Sequence, residues 1–445
     1  MNRLLMGWVC SALMAVQLPS CQFSANIETL LSPPRLTEEQ ENIYQALQLS
    51  EGQSISLKYP KSGTRLSAFL VEDLDEDGAD EAIVFYEANR SLAEENPLRV
   101  SLLDQKDGKW RVVKDYTTAG GEVERVDVTQ LGSNPKKNLI ISYSMVDGAE
   151  RTAEIFQYVD GSLERTLSIP FSILSVSDLN GDGQQELFAA SAAKQPTPAA
   201  AYIYSQTENG SILPPVRVYL PESFADVSRM SSGILPYEGK MLPALYLDCA
   251  SGATTVQTAV LVYDDQELSL LYADSADRPF STARPSGCQA MDIDFDGEIE
   301  IPVQSAFYGY QLDAGTPALT MTGWYVCRGG QLMRECVSYY AVQNNYVFIL
   351  PSRWAGKVTA AMESEEIVFY EYDQHANAAD GTPVKKTELL RLAVVNDPAA
   401  AEAREQDGYL TLRKKYGNFY MAKRTVQGHA LSITDSELIL AMRII

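Results

Sequence analysis

Short apolar runs broken by acidic, glycine-containing loops set the rhythm of this chain. Ser67-Ala-Phe-Leu-Val71 leads into Asp73-Leu-Asp75-Glu-Asp77-Gly78, and Ala82-Ile-Val-Phe-Tyr86 follows. Phe171-Ser-Ile-Leu-Ser-Val176 and Leu187-Phe-Ala-Ala190 flank Asp178-Leu-Asn180-Gly-Asp182-Gly183 in the same way. A third loop, Asp292-Ile-Asp294-Phe-Asp296-Gly297, runs into Ile301-Pro-Val303. Branched and aromatic residues in brief runs between Gly, Asp and Asn predict β-strands. Asp107-Gly108, Asp160-Gly161 and Gly329-Gly330, each between such runs, predict tight hairpins because the residues of these turns must adopt positive φ. One segment breaks the pattern: Thr37-Glu-Glu-Gln40 is a capping box that predicts a short helix over 37–49.

The loops recur at about twice a ~50-residue period, so degenerate copies are expected halfway between them. Val126-Asp127-Val-Thr-Gln-Leu-Gly132 before Asn138-Leu-Ile-Ile-Ser-Tyr143 fits, as does Val227-Ser-Arg-Met-Ser-Ser-Gly233 before Leu242-Pro-Ala-Leu-Tyr-Leu247. The series Asp73, Asp127, Asp178, Ser228 and Asp292 extends to Tyr346-Val-Phe-Ile-Leu350 and Leu389-Leu-Arg-Leu392. The expected fold is all-β, a β-propeller over 50–445; at roughly 50 to 60 residues per blade it holds about seven blades, six or eight also fitting the length. Phe419-Tyr-Met-Ala422 or Leu438-Ile-Leu440 are the candidate strands for closing the ring.

Charge and composition narrow the function classes. A formal charge of −23 over 445 residues excludes a nucleic-acid partner, which needs a basic surface to displace counterions. Only two histidines, His375 and His429, are present, which argues against a His-ligated zinc site or a Ser-His-Asp triad; His375 reads as a solvated side chain. Six cysteines are too few for a disulfide framework. Cys327 and Cys336 flank Gly329-Gly330, but a tight turn there sets position 327 opposite about position 332, so no bridge is expected between them.

Within each loop, oxygen-bearing side chains alternate and a Glu stands eight residues after the first Asp. The sets are Asp73, Asp75, Asp77 and Glu81; Asp178, Asn180, Asp182 and Glu186; and Asp292, Asp294, Asp296 and Glu300. Hard cations such as Ca²⁺ take such donors, and the glycine lets the backbone fold back. An EF-hand would continue into a helix, whereas its twelfth positions, Val84, Ala189 and Val303, fall in strand-like runs. Over about residues 55–350 the pattern resembles the FG-GAP/VCBS repeat proteins, the β-propeller group that includes integrin α-subunit heads. Glu81, Glu186 and Glu300 replace that family's final Asp, and its Phe-Gly and Gly-Ala-Pro phrases are absent. The resemblance implies up to three structural Ca²⁺ ions, held by the side chains named and by the carbonyls of Ala79, Gln184 and Glu298. At millimolar Ca²⁺ each would stabilise the fold by roughly 0.4 to 1.4 kcal/mol. Asn180 removes one charge, so the second loop is expected to bind most weakly.

Met1-Asn-Arg3, the apolar run Leu4–Val16 and Leu18-Pro19-Ser20-Cys21 resemble a bacterial lipoprotein signal peptide. That resemblance implies removal of 1–20, lipidation of Cys21, a spacer over 21–36 and a secreted protein anchored by lipid on the extracytoplasmic side of the cell membrane. The expected role is a monomeric binding or adhesion module for a protein or a glycan, without an evident catalytic constellation. An envelope-assembly scaffold and a polysaccharide-active hydrolase or lyase are the alternatives. Aromatics at Phe307-Tyr308-Gly-Tyr310, Trp324-Tyr325, Tyr339-Tyr340 and Trp354 are expected in the core rather than on sugars.

Overall fold

The apolar runs behind the first two acidic loops become second strands of antiparallel sheets, buried on both faces, and the run behind the third, Ile301–Ala306, opens the fifth sheet. The computed structural model describes residues 36–52, 54–88, 97–145, 150–275, 277–278, 280–311 and 317–445. The expected signal peptide, Cys21 and nearly all of the spacer lie outside them. Among the described residues six sheets follow one another along the chain. The first runs Phe69–Glu72, Glu81–Ala88, Leu98–Lys106, Lys109–Thr117, with Ile55–Leu57 also pairing to Glu81–Ala88. The second is Glu122–Thr129, Asn138–Ser144, Arg151–Val159, Ser162–Pro170; the third is Ile173–Ser177, Glu186–Ser191, Ala200–Tyr204, Val216–Tyr219. The fourth is Asp226–Tyr237, Lys240–Ala250, Thr255–Asp264, Glu267–Tyr272. In the fifth, Ile301–Ala306, Thr320–Arg328, Gln331–Ala341 and Tyr346–Ile349 are joined by the C-terminal strand Met442–Ile444. The sixth is ordered Val358–Glu363, Glu366–Asn377, Pro383–Val395, Asn418–Arg424, Leu410–Lys415.

The hydrophobic pattern follows from the packing. Each pair of consecutive sheets shares a buried cluster, so in the inner sheets a second strand such as Asn138–Ser144 is buried throughout. Two-sided burial selects continuous apolar runs, whereas an outer strand such as Lys109–Thr117 is mostly exposed and reads as polar. Asp107-Gly108, Asp160-Gly161 and Gly329-Gly330 form the expected hairpins, all with positive φ. Cys327 lies opposite Leu332 and both Cys327 and Cys336 are free.

The ends of the array depart from expectation. The outer face of the first sheet is covered by α1, Glu38–Glu51, which starts at the Thr37 capping box and buries Ile43 and Leu47. That of the sixth is covered by α2, Pro398–Gln406, through Ala401 against Tyr409 and Met421. Phe419–Ala422 pairs within the sixth sheet, and Leu438–Leu440 lies in α3, Asp435–Ala441, so neither joins the two ends of the chain. Among the described residues no buried cluster links the sixth sheet to the first. Among the described residues six sheets are present, within the expected six to eight, because Tyr346–Ile349 extends the fifth sheet and Leu389–Leu392 belongs to a middle strand of the sixth. No helix among the described residues is long and apolar enough to cross a membrane.

Candidate metal centres

The first two acidic loops join the first and second strands of the first and third sheets, the third leads into the first strand of the fifth and is closed by a Met291–Glu300 bridge, and one wiring scheme repeats in each. The leading Asp folds the loop around itself: Asp73 Oδ2 accepts from Gly78 N at 3.0 Å, Asp178 Oδ2 from Gly183 N at 2.8 Å, Asp292 Oδ2 from Gly297 N at 2.9 Å. The fifth position turns the chain again, with Asp77, Asp182 and Asp296 each accepting from the N–H two residues on at 2.8 Å. The fourth and sixth positions have positive φ, at Glu76 and Gly78, Gly181 and Gly183, Phe295 and Gly297. The glycines take this left-handed conformation without steric cost.

The second and ninth positions root each loop in the core. Leu74, Leu179 and Ile293 are buried, and their N–H groups donate to Glu81, Glu186 and Glu300 Oε2 at 2.8, 2.9 and 2.8 Å. Glu81 and Glu186 open second strands and Glu300 lies in the bridge just before Ile301; they are 3%, 3% and 0% exposed, so each carboxylate is presented to the loop from beneath. In the third loop the side-chain oxygens of Asp292, Asp294, Asp296 and Glu300 all lie within 4.8 Å of one another; in the first, those of Asp73, Asp75 and Glu81 do. Glu300 Oε1 is buried with no hydrogen-bond partner. In the second loop Asn180 turns its amide inward and donates to Asp182 Oδ2 at 3.0 Å, placing a donor where the other loops hold a carboxylate.

Burial, and then crowding, favours the protonated form of the glutamates beneath the loops. Burial pushes Glu81 up to about 7, with Asp75 and Asp73 adding to it and the Leu74 N–H opposing. Burial and the Asp182 and Asp178 charges take Glu186 to about 7; burial with Asp294 and Asp292 takes Glu300 to about 8. Asp294 is also raised, by burial and then by Asp296. An all-oxygen set with a buried, unpartnered carboxylate oxygen suits a hard divalent cation, which would replace those protons.

The loops also tie sheets together. Lys137 Nζ donates to Asp73 O at 2.9 Å, Gly132 N to Gln185 O at 2.8 Å, and Ile234 N to Gly297 O at 2.8 Å, each across to an adjacent sheet. The degenerate copies are real as strands but their registers differ from expectation. In the second sheet the loop begins at Gln130, three residues after Asp127, because Leu131 is the buried second position and Asn138 pairs with Thr129 as Glu81 does with Glu72. Ser228–Gly233 lies inside a strand, and the turn of the fourth sheet is Glu238-Gly239.

The aromatics expected in the core divide, with Tyr308, Tyr310, Tyr325, Tyr339 and Tyr340 half-buried. Phe307, Trp324 and Trp354 are buried; Trp324 Nε1 donates to Ser338 Oγ at 2.7 Å and Trp354 Nε1 to Leu431 O at 2.8 Å. A pair that the sequence reading passed over faces a cleft instead. Tyr202 and Tyr204, with ring centroids 6.2 Å apart, lie on the face of the third sheet turned to the second, beside a cavity of about 480 Å³ also lined by Phe171, Arg151, Glu150 and Asp226. Tyr204 packs on the core between those sheets; Tyr202 does not. The cleft is flanked by the connection between second and third strands, at the end of the third sheet opposite its acidic loop. Two residues two apart on a strand share a face, and that alternation is the signal that could have found this pair.

No family model matches the chain. No curated protein matches it either. Among solved structures, similarity extends to an exotype rhamnogalacturonan lyase, YesX, at 11% identity over 75% of this chain and 76% of that one, TM-score 0.30. A rhamnogalacturonan lyase of Bacillus licheniformis matches at 11% over 75% and 77%, TM-score 0.29. An exo-β-1,3-galactanase of Phanerochaete chrysosporium matches at 12% over 76% and 79%, TM-score 0.26.

Proposed function

We propose that this chain is a calcium-stapled, propeller-like array of six sheets, secreted and anchored through Cys21, that acts as a binding module for a glycan or protein. The observation that carries the metal part is the third loop, where four carboxylates converge and Glu300 Oε1 is buried without a partner. The ions would be structural, because each loop is cross-tied to the adjacent sheet and none opens onto the tyrosine cleft. The ligand surface is that cleft, where aromatic rings and polar groups meet in a concavity of a size that takes a small ligand. Of the alternatives, a polysaccharide-active role draws on Glu150 and Asp226 in the same cleft.

Calcium added to chelated protein should raise the melting temperature, and no shift would remove the metal reading. The chain with Tyr202→Ala and Tyr204→Ala should lose retention on a glycan array or envelope extract that the unaltered chain shows. Release of product from a polysaccharide panel, abolished by Glu150→Gln or Asp226→Asn, would replace the binding reading with the enzymatic one.

A further inference from the structure

The third loop differs from the others in carrying a cation of its own. Arg443, in the C-terminal strand Met442–Ile444, reaches across to it: Arg443 Nη1 donates to Ile293 O at 3.0 Å and lies 3.7 Å from Asp294 Oδ2. Ile293 and Asp294 are the second and third positions of the loop, and Asp294 belongs to the convergent carboxylate set. In the first loop the nearest counterpart, Lys137, meets Asp73 O and the Glu72 carboxylate, neither of them a side-chain member of the set. Among the described residues, Arg443 is the one cation with an ion pair to any of the twelve expected ligand side chains.

The strand that carries it is short and is anchored by Met442, which is buried in the core between the fifth and sixth sheets. It pairs with Tyr346–Ile349 over three residues, Arg443 opposite Val347, and Ile445 N donates to Asn345 O at 3.0 Å. Residues before it are fixed independently, since Leu438 is buried in α3 and Arg353 Nη1 bonds Glu437 Oε1 at 2.6 Å. A change at Arg443 is therefore confined to the last few residues.

We propose that Arg443 is the built-in counter-ion of the third loop, and that divalent-cation binding there and docking of the C-terminal strand oppose each other. A guanidinium beside Asp294 offsets part of the negative potential that attracts the ion, and a bound ion in turn competes for Asp294 and repels Arg443. Because binding free energies are reciprocal, whatever factor Arg443 takes from ion affinity, the ion takes from strand docking. Arg443 sets the third loop apart from the first although both offer full carboxylate sets. This inference rests on the cation reading of the loop given above.

The test uses the full chain with terbium as the luminescent probe and calcium as competitor, excited through tryptophan; Trp324 packs against Ile293 and so favours the third loop. Arg443→Gln should tighten the sensitised site about three- to tenfold, as expected for removing one partly exposed like charge, while Arg443→Lys should leave it near the unaltered value. Hydrogen exchange at Arg443 and Ile444 should quicken several-fold on adding calcium, and this response should vanish in Glu300→Gln. If Glu300→Gln leaves the terbium signal unchanged, the cation reading itself fails and the inference with it. If Glu300→Gln abolishes the signal but Arg443→Gln leaves affinity and exchange unaltered, the cation reading stands and the role of Arg443 is overturned.

Discussion

The loop of the second sheet and the loop of the fifth begin as the same object and are completed in different ways. Both place an apolar residue at the second position, Leu131 or Ile293, and a buried polar residue at the head of the next strand, Asn138 or Glu300. In the fifth sheet that residue is a carboxylate with an unpartnered oxygen facing three aspartates. In the second it is an amide met by Gln206, sent in from the third sheet: Gln206 Oε1 accepts from Asn134 Nδ2 at 2.7 Å and Asn138 Nδ2 at 3.0 Å, and Gln206 Nε2 donates to Asn138 Oδ1 at 2.9 Å. One loop leaves a buried carboxylate oxygen without a partner, and the other carries its own plug. A β-turn of this length must satisfy its inward polar groups, and neutral amides do so at every pH and calcium concentration.

The largest effect should come from pulling the plug. Gln206→Ala removes the main partner of the Asn134 and Asn138 amide N–H groups, on residues 2% and 0% exposed, and should cost about 2–4 kcal/mol, since each buried polar group left unpaired costs about 1–3 kcal/mol. Denaturant unfolding should give the same loss in calcium and in chelator. A loss that calcium repairs would dissolve the contrast between the loops.

The carboxylate loops should instead show their state through pH. Glu81 and Glu186 titrate at about 7 and Glu300 at about 8 in the fold, above the 4.5 of a free glutamate. The folded state then binds more protons than the unfolded one between those values, so the stability of chelated protein should fall as pH rises from about 5 through about 8. Calcium binds the ionised form, so melting curves in millimolar calcium should be much flatter over this range. Equal slopes with and without calcium would mean the loops take no ion.

Glu300→Gln sharpens the comparison by turning the fifth-sheet loop toward the second-sheet solution. At pH 8 it should stabilise chelated protein, because a buried charge facing other carboxylates is gone, yet remove about 1 kcal/mol of the gain from millimolar calcium. Melting curves of the two chains should therefore cross between chelator and calcium.

Which parts of this were legible in sequence follows from what each position must do. Ala82–Tyr86 and Leu187–Ala190 were readable because burial on two faces leaves only apolar residues, and the acidic loops because ligand spacing is local. The register of the second sheet was not, since Asp127 looks like a loop carboxylate but pairs with Arg125 at 2.7 Å, while the informative residue was the plain Leu131. Gln206 was invisible for a different reason: its partners lie about seventy residues away, and no local pattern marks a lone glutamine as buried. The ring-closing strands were misplaced because Leu438–Leu440 is as apolar as a strand, and only the Thr434–Glu437 capping box shows it to be a helix.

The smallest effect is expected in the second acidic loop, which stands between the two solutions. Asn180 already plugs part of it by donating to Asp182 Oδ2, at the expense of a ligand charge. Asn180→Asp should remove that internal bond and set a third aspartate-type carboxylate facing Asp178 and Asp182, so chelated protein loses a few tenths of a kcal/mol through like-charge repulsion. With calcium the added charge should tighten this site about threefold, roughly 0.6 kcal/mol, leaving a small net gain at millimolar ion. Calorimetric titration of the two chains measures it. Loosened binding would mean that the Asn180 amide oxygen already serves the ion as well as a carboxylate, and that the loop is a third complete site and not an intermediate.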